Sequence, residues 1–447
     1  MTFNFEGYLS TLYPSATYHV APLSGGLVNF TVRARRVHLH QDEASVPRNE
    51  SATSPAKEDR PALPPTLILK HAPPYIATLG AGAPFSQERQ IVEATVLKLF
   101  HPTTGALAHL NNHPEHGNIL IPNVISHDPA QSVLALQDLG DELLTLWEFF
   151  TSPASKANTA ATIGVRLGAF FASLHSPSTL AAIQGHGGPD NREEAALLSR
   201  SLTHEVVRDA AVAPILDRLQ DPGGLDAATA GRLYARVVAD YEREAVPGEG
   251  CLSMGDFHPG SVLVSPPPPP PSSSSSSSGG SPVVGVIDWE FATAGENGRG
   301  VNGDMAQFLA SMHVLMLSLP GEGELGQVRQ AVEVFVGELC RAYAERSNLA
   351  RSVKGAEAAR RPKADEPALA IFRSAMILFG RETINQGVER MWDHVPAVSA
   401  EEMVRAGAWY LERAADSIEE MVEDRNWEEL MKEESRMMLR LCGIVDQ

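Results

Sequence analysis

Cysteine is scarce in this chain: there are three in 447 residues, at positions 251, 340 and 442. They lie far apart and form no Cys-x-x-Cys pair, which argues against a disulfide framework or a thiolate zinc site and leaves three buried free thiols. No apolar run approaches about 18 residues, and the opening Met-Thr-Phe-Asn-Phe-Glu-Gly-Tyr has neither the basic nor the apolar region of a signal peptide. A cytoplasmic protein without a membrane partner is the expectation. Positive charge is also short, with 36 Lys and Arg against 55 Asp and Glu and a net charge of -19. Such a surface repels phosphate backbones and anionic lipid, which argues against nucleic-acid binding. No internal repeat is present, and the sequence leaves the oligomeric state open, a homodimer included.

What the chain does have is a globular balance, 43% hydrophobic and 20% charged, and length enough for two lobes. The organising stretch is Cys251 to Phe291. Two short β-branched runs, Val262 to Val264 and Val283 to Ile287, flank a Pro and Ser tract at 265–282. Asp256 precedes the first run and Asp288 follows the second, so a hairpin brings two carboxylates together at its base. One carboxylate able to accept a proton and one able to hold a divalent metal are what phosphoryl transfer from ATP to a hydroxyl requires. The Pro and Ser tract cannot bury a core and reads as a disordered loop at the hairpin tip.

Upstream, residues 18–37 read as strand, Gly-containing turn and strand, with Phe30, Val32 and Ala34 alternating against Thr31, Arg33 and Arg35. Gly25 and Gly26 can approach a polyphosphate or simply turn a hairpin. Residues 40–65 are polar and Pro-rich and read as a flexible insertion. A strand from Thr66 ends in Lys70; Ser86 caps the helix that follows, whose buried side is Ile91, Val92, Val96, Leu97, Leu99 and Phe100. Either Glu93 or Glu88 can hold Lys70. Beyond the strand that runs into Gln137, Asp138 and Leu139, helices dominate. His175 reads as a helix-end histidine, Asp304 as the start of a helix, the Gly-rich 294–304 as irregular, and 346–367 as an exposed loop.

These residues resemble the aminoglycoside phosphotransferase and choline kinase group of small-molecule kinases. The group carries a loop of the form His-Gly-Asp-x-His-x-x-Asn and then Ile-Asp-x-Glu; this chain has Met254-Gly255-Asp256-Phe257-His258-Pro259-Gly260-Ser261 and Ile287-Asp288-Trp289-Glu290. The chain is more similar to the methylthioribose kinase branch, which also carries Gly-Asp-x-His-x-Gly-Ser, and Lys70-His-Ala-Pro-Pro-Tyr-Ile resembles that branch too. The resemblance implies an α+β, protein-kinase-like fold of two lobes: a small, mainly β N-terminal lobe at 1–140 that binds ATP, and a larger, mainly α-helical lobe at 141–447 for catalysis and substrate.

The resemblance further implies ATP and Mg²⁺ as cofactors and a small-molecule hydroxyl acceptor: a methylthioribose-like sugar, an aminoglycoside or a choline-like alcohol. Asp256 would take or orient the acceptor's proton. Gly25, Gly26 and Lys70 would hold phosphates, with Glu93 orienting Lys70 and the backbone of Gln137, Asp138 and Leu139 meeting adenine. Asp288 would be the main metal ligand, with Glu290 and Ser261. His258 and Asp304 would support the loop, and Gly380 to Asn385 would contribute to the acceptor pocket. Met254 replaces the group's His and Ser261 its Asn, so the alternative is a catalytically inactive nucleotide-binding or scaffolding relative.

Overall fold

The computed structural model describes residues 3–23, 26–39, 63–113, 117–152, 157–185, 196–202, 204–266, 281–319, 323–347, 367–389, 399–417, 420 and 436–444. Gly25, and most of the expected insertion at 40–65, tract at 265–282 and loop at 346–367, lie outside the described residues. The strands, in chain order, are β1 (Ala16–Pro22), β2 (Phe30–Leu39), β3 (Thr66–His71), β4 (Asn112–His113), β5 (Gly117–Leu120), β6 (Val124–Asp128), β7 (Val133–Gln137), β8 (Leu144–Thr145), β9 (Gly250–Ser253), β10 (Val262–Val264), β11 (Val284–Val286) and β12 (Thr293–Arg299). The helices used below are α1 (Phe5–Leu12), α2 (Glu88–Leu99), α3 (Ala157–Leu174), α4 (Ala227–Tyr241), α5 (Ala306–Ser318), α6 (Gly323–Arg346), α7 (Pro367–Glu389) and α8 (Ala400–Arg413).

The chain divides into two compact units, one of residues 1–94 and 122–141, the other of 95–121 and 142–447. The expected α+β class holds: a smaller, mainly β unit, then a larger, mainly helical one. In the first unit five antiparallel strands run in the order β1-β2-β3-β7-β6. The alternation of β2 sends Val32 and Ala34 into a core with Leu67, Leu69, Val133 and Ala135. Helix α1, which the sequence reading did not anticipate, closes this core with Phe5, Tyr8 and Leu9; Asn4 caps it by accepting from the Gly7 N–H.

In α2 the Ser86 hydroxyl accepts from Glu88 N–H at 3.2 Å, as expected of a cap. Val92, Val96, Leu97 and Leu99 are buried, but Ile91 is 39% exposed. At one end of the apolar stripe, it falls on the outer side of the 100° arc that faces the core.

In the second unit a sheet of order β4-β5-β11-β10-β8 contains the expected hairpin. β10 and β11 are antiparallel, with Val262 opposite Val286 and Val264 opposite Val284, and Ile287 N–H donates to Ser261 O at 2.9 Å. The Gly-rich stretch read as irregular is instead β12 up to Arg299, paired with β9 across a register shift between Gly295 and Arg299, and then a π-helical turn, Gly300–Met305. Pairing with β9 supplies the order that composition alone does not show. Around these sheets α3 packs on α6 and α7 on α8. Among the described residues no helix is long and apolar enough to cross a membrane.

Candidate functional site

The candidate residues form two groups, one in each unit. In the first, β3 is a central strand, pairing Lys70 with Thr31 on one side and Leu134 on the other. The Lys70 side chain is therefore enclosed, and its Nζ lies 2.7 Å from Glu93 Oε1, both side chains more than nine-tenths buried. Of the two carboxylates weighed for this lysine, the partner is Glu93. One turn earlier, Gln90 Nε2 donates to Lys70 O at 2.9 Å and to Ser132 O at 2.8 Å, tying α2 to the strand backbone.

Arg89, unassigned from sequence, is buried beside this pair. Its guanidinium donates to Asn29 Oδ1, Val28 O and Pro73 O at 3.1, 3.0 and 2.9 Å, fastening the chain after Gly26 to the segment after β3. A Cβ on Gly26 would meet only Asn29 O at 3.3 Å and Thr31 Oγ1 at 3.5 Å.

Gln137 closes β7, and its Oε1 accepts from Asn123 Nδ2 at 2.8 Å. Asp138 is clasped by Arg33, with Nη2 donating to Oδ1 at 3.1 Å and Nε 2.9 Å from Oδ2. Its Oδ1 also accepts the Gly140 N–H at 3.1 Å. Arg33 and Arg35, which alternation marks only as the polar face of β2, thus brace residues 138–141; Arg35 reaches Asp141 at 2.6 Å. The Asp138 side chain serves the turn, leaving backbone as what this segment can offer a ligand.

In the second unit the loop 254–261 is held from below. Asp304 Oδ2 accepts from Met254 N–H at 2.7 Å and Oδ1 from Gly255 N–H at 2.9 Å. Asp304 is itself held by His175, whose Nε2 lies 3.1 Å away, while His175 Nδ1 meets Tyr343 OH at 2.9 Å. A carboxylate only accepts, so Nε2 carries a proton; burial pushes the Tyr343 hydroxyl well above its ordinary pKa and keeps it a donor to Nδ1. Gly255 has φ +84°, and a Cβ there would stand 2.1 Å from Phe291 O. Only glycine lets the loop approach the Asp288–Phe291 segment this closely. Phe257 is stacked between Phe171 and Phe308, with ring centroids 4.0 and 4.2 Å away. Such pairs contribute roughly 0.5–1.5 kcal/mol each beyond burial.

On this anchored backbone Asp256 points a carboxylate that is 40% exposed. Its Oδ1 accepts from Gln307 Nε2 at 2.5 Å, and its Oδ2 lies 4.0 Å from His258 Nε2. Gly260 N–H donates to His258 Nδ1 at 3.0 Å, which places the neutral ring's proton on the nitrogen facing Asp256. Ser261 is fully buried: its hydroxyl donates to His258 O at 2.7 Å and accepts from His258 N–H at 3.2 Å, closing the turn.

Asp288 follows β11 with φ +65°, a left-handed conformation that Asp tolerates better than most residues and that clusters at functional positions. Trp289 is buried, donating to Val286 O at 3.3 Å, and Glu290 is 6% exposed. Among the described residues no three His, Cys, Asp or Glu side chains converge as a metal cage. Mg²⁺ arriving with a nucleotide needs only one or two protein carboxylates, the rest of its octahedron being phosphate oxygen and water. Asp288 and Glu290 are the two carboxylates that this segment carries.

The segment Gly380–Asn385 lies on α7. Asn385 Oδ1 accepts from Arg218 at 2.6 Å and its Nδ2 donates to Ala211 O at 3.0 Å, while a Cβ on Gly380 would stand 2.7 Å from Gly407 O. This stretch serves helix packing.

The buried Lys70–Glu93 pair thus lies in the β unit, and the loop that carries Asp256 lies in the helical unit. Residues 93–296 match the model of the phosphotransferase enzyme family, so the resemblance read from the motifs holds. A 4-hydroxytryptamine kinase of Psilocybe cyanescens is 28% identical over 185 residues, 39% of this chain and 44% of the relative. A methylthioribose kinase of Pectobacterium atrosepticum is 28% identical over 208 residues, 44% of this chain and 46% of that one. The chain thus spans less than half the length of these curated relatives. Among solved structures, a choline/ethanolamine kinase family protein from Mesorhizobium loti aligns over 98% of this chain and 97% of its own at 13% identity, with a TM-score of 0.38. A thermostable mutant of an aminoglycoside phosphotransferase, in complex with ADP and hygromycin B, aligns over 93% and 100% at 12% identity, with a TM-score of 0.37.

Proposed function

We propose that this protein is an ATP-dependent kinase that transfers the γ-phosphate to a hydroxyl of a small molecule. The observation that carries the reading is the setting of Asp256. Its loop is pinned through two backbone N–H groups by Asp304, its carboxylate is open to solvent, and the loop lies against the backbone of the segment that begins with Asp288. Residues 1–140 act as the ATP-binding lobe: Lys70, oriented by Glu93, holds phosphates together with the backbone at Gly25 and Gly26, and the backbone of Gln137, Asp138 and Leu139 receives adenine. Residues 141–447 supply catalysis and the acceptor pocket. Asp288 and Glu290 hold Mg²⁺, which when bound neutralises phosphate charge; Ser261, its hydroxyl spent within the turn, contributes through the loop's shape. Asp256 places the acceptor hydroxyl and takes its proton, a role of positioning more than of strong basicity.

The inactive reading rests on Met254 and Ser261. It loses force because position 254 serves Asp304 through its backbone N–H, which any residue but proline offers, and because the hydroxyl of Ser261 is what closes the turn. The test is ADP release from Mg-ATP with methylthioribose, 4-hydroxytryptamine, choline and hygromycin B as acceptors, and with Asp256→Ala as control. Turnover lost in Asp256→Ala supports the kinase and selects its acceptor class. ATP binding without turnover favours the scaffold, and no ATP binding overturns both.

A further inference from the structure

We infer that Gln307 is a positioning residue for the transfer step, fixing which oxygen of Asp256 receives the acceptor's proton; this rests on the kinase reading above. Gln307, in the first turn of α5, stands three residues after Asp304, which lies in the π-helical turn Gly300–Met305 that runs into that helix, so two adjoining turns grip the loop. Asp304 takes its backbone and Gln307 its reactive side chain. The donor is unambiguous: a carboxylate has no proton to give at neutral pH, so the amide nitrogen faces it, 2.5 Å from Oδ1.

Half-exposed, the Asp256 carboxylate would otherwise rotate freely about its terminal torsion. With Oδ1 engaged, Oδ2 is the oxygen left for the acceptor, beside the N–H of His258 at 4.0 Å, a gap too long for a direct hydrogen bond. In the reaction the acceptor oxygen bonds to the γ-phosphorus, the bond from that phosphorus to the bridging oxygen breaks to release ADP, and the acceptor's proton passes to Oδ2. Phe308, stacked on Phe257 one residue further along α5, keeps the spacing between Gln307 and the loop fixed.

The test compares wild type, Gln307→Met, Gln307→Glu and Asp256→Ala in Mg-ATP, with the acceptor that turns over or, failing one, with water. Gln307→Met, similar in length but without a donor, should lose about 10- to 100-fold in kcat, with KM for ATP within about twofold. Gln307→Glu keeps the shape but sets a second carboxylate against Asp256, and should fall at least as far. A merely structural role makes the opposite forecast, since Gln307→Glu would then be the milder change. Wild-type kcat in Gln307→Met, or a KM that moves as much as kcat, overturns the inference. Failure of the kinase reading looks different: either wild type releases no ADP, or Asp256→Ala releases it as fast as wild type, and each outcome removes the inference with it.

Discussion

Asp304 accepts the backbone N–H of Met254 at 2.7 Å across fifty residues of chain. It accepts that of Gly255 as well, so one carboxylate satisfies two donors beside the candidate catalytic residue. Asp304→Ala orphans both, and each unsatisfied buried donor costs about 1–3 kcal/mol. Asp304→Asn retains one acceptor and should lose roughly half as much. Urea denaturation of the two variants checks the order; equal stability of Asp304→Ala and wild type would mean the loop is held elsewhere.

The Lys70–Glu93 pair separates stability from function. Glu93→Leu leaves a buried ammonium and should cost about 3–5 kcal/mol, whereas Lys70→Met combined with Glu93→Leu removes both charges and should recover most of that loss. The double variant should still fail to bind Mg-ATP, read as a vanished thermal shift. A double variant as unstable as Glu93→Leu, or one that binds ATP normally, contradicts this account.

The hairpin at Val262 and Val284 and the lysine strand were legible because β-branched runs next to Asp or Lys are local signals. Arg33, Arg89 and Gln307 were not. Arg33 sits on the polar side of an alternating strand, and only the approach of residues 138–141 turns that side into a clasp. Arg89 lies among the polar residues of the first turn of α2, where charge suggests solvent, yet it is 1% exposed, because five backbone and side-chain acceptors converge on it. Gln307 acquires meaning from Asp256, far away in sequence. β12 was missed for the same reason: a Gly-rich strand declares itself through its pairing with β9, not through composition.

Glu249 is the hub of the helical unit. Its side chain is fully buried and meets Arg243, Arg299, the Val246 N–H and Asn302 Nδ2, the last two at 2.7 and 2.6 Å. Asn302 passes the connection to Ser374 on α7 at 3.0 Å, and Ser374 to Asp240 on α4, also at 3.0 Å. Burial pushes the Glu249 carboxyl up, but these partners outweigh it and leave it below its ordinary value. A depressed carboxyl stabilises the fold above its unfolded pKa and loses that contribution as pH falls through the folded value. Glu249→Ala, which strands two arginines, should cost about 3–5 kcal/mol at neutral pH. The deficit against wild type should shrink below about pH 4.5. Chemical denaturation at pH 7 and pH 4 measures both.

His313 sets an expectation of the same sign at milder acidity. It is 1% exposed on α5, ringed by Phe379 and Tyr410, with neither ring nitrogen hydrogen-bonded to protein. Burial, with Arg329 adding to it, lowers its pKa to about 3. The folded protein therefore keeps this ring neutral while the unfolded chain protonates it below about pH 6.5. Stability should fall as pH drops from about 6.5 toward 3, by up to about 1.4 kcal/mol per pH unit from this group. His313→Leu removes both the titration and two unpaired buried nitrogens, so the variant should match or exceed wild-type stability at pH 7.5 and gain on it steadily toward pH 5. Thermal melts across that range decide the matter: parallel pH curves for the two proteins would show that His313 is solvated, or that it finds a partner when charged.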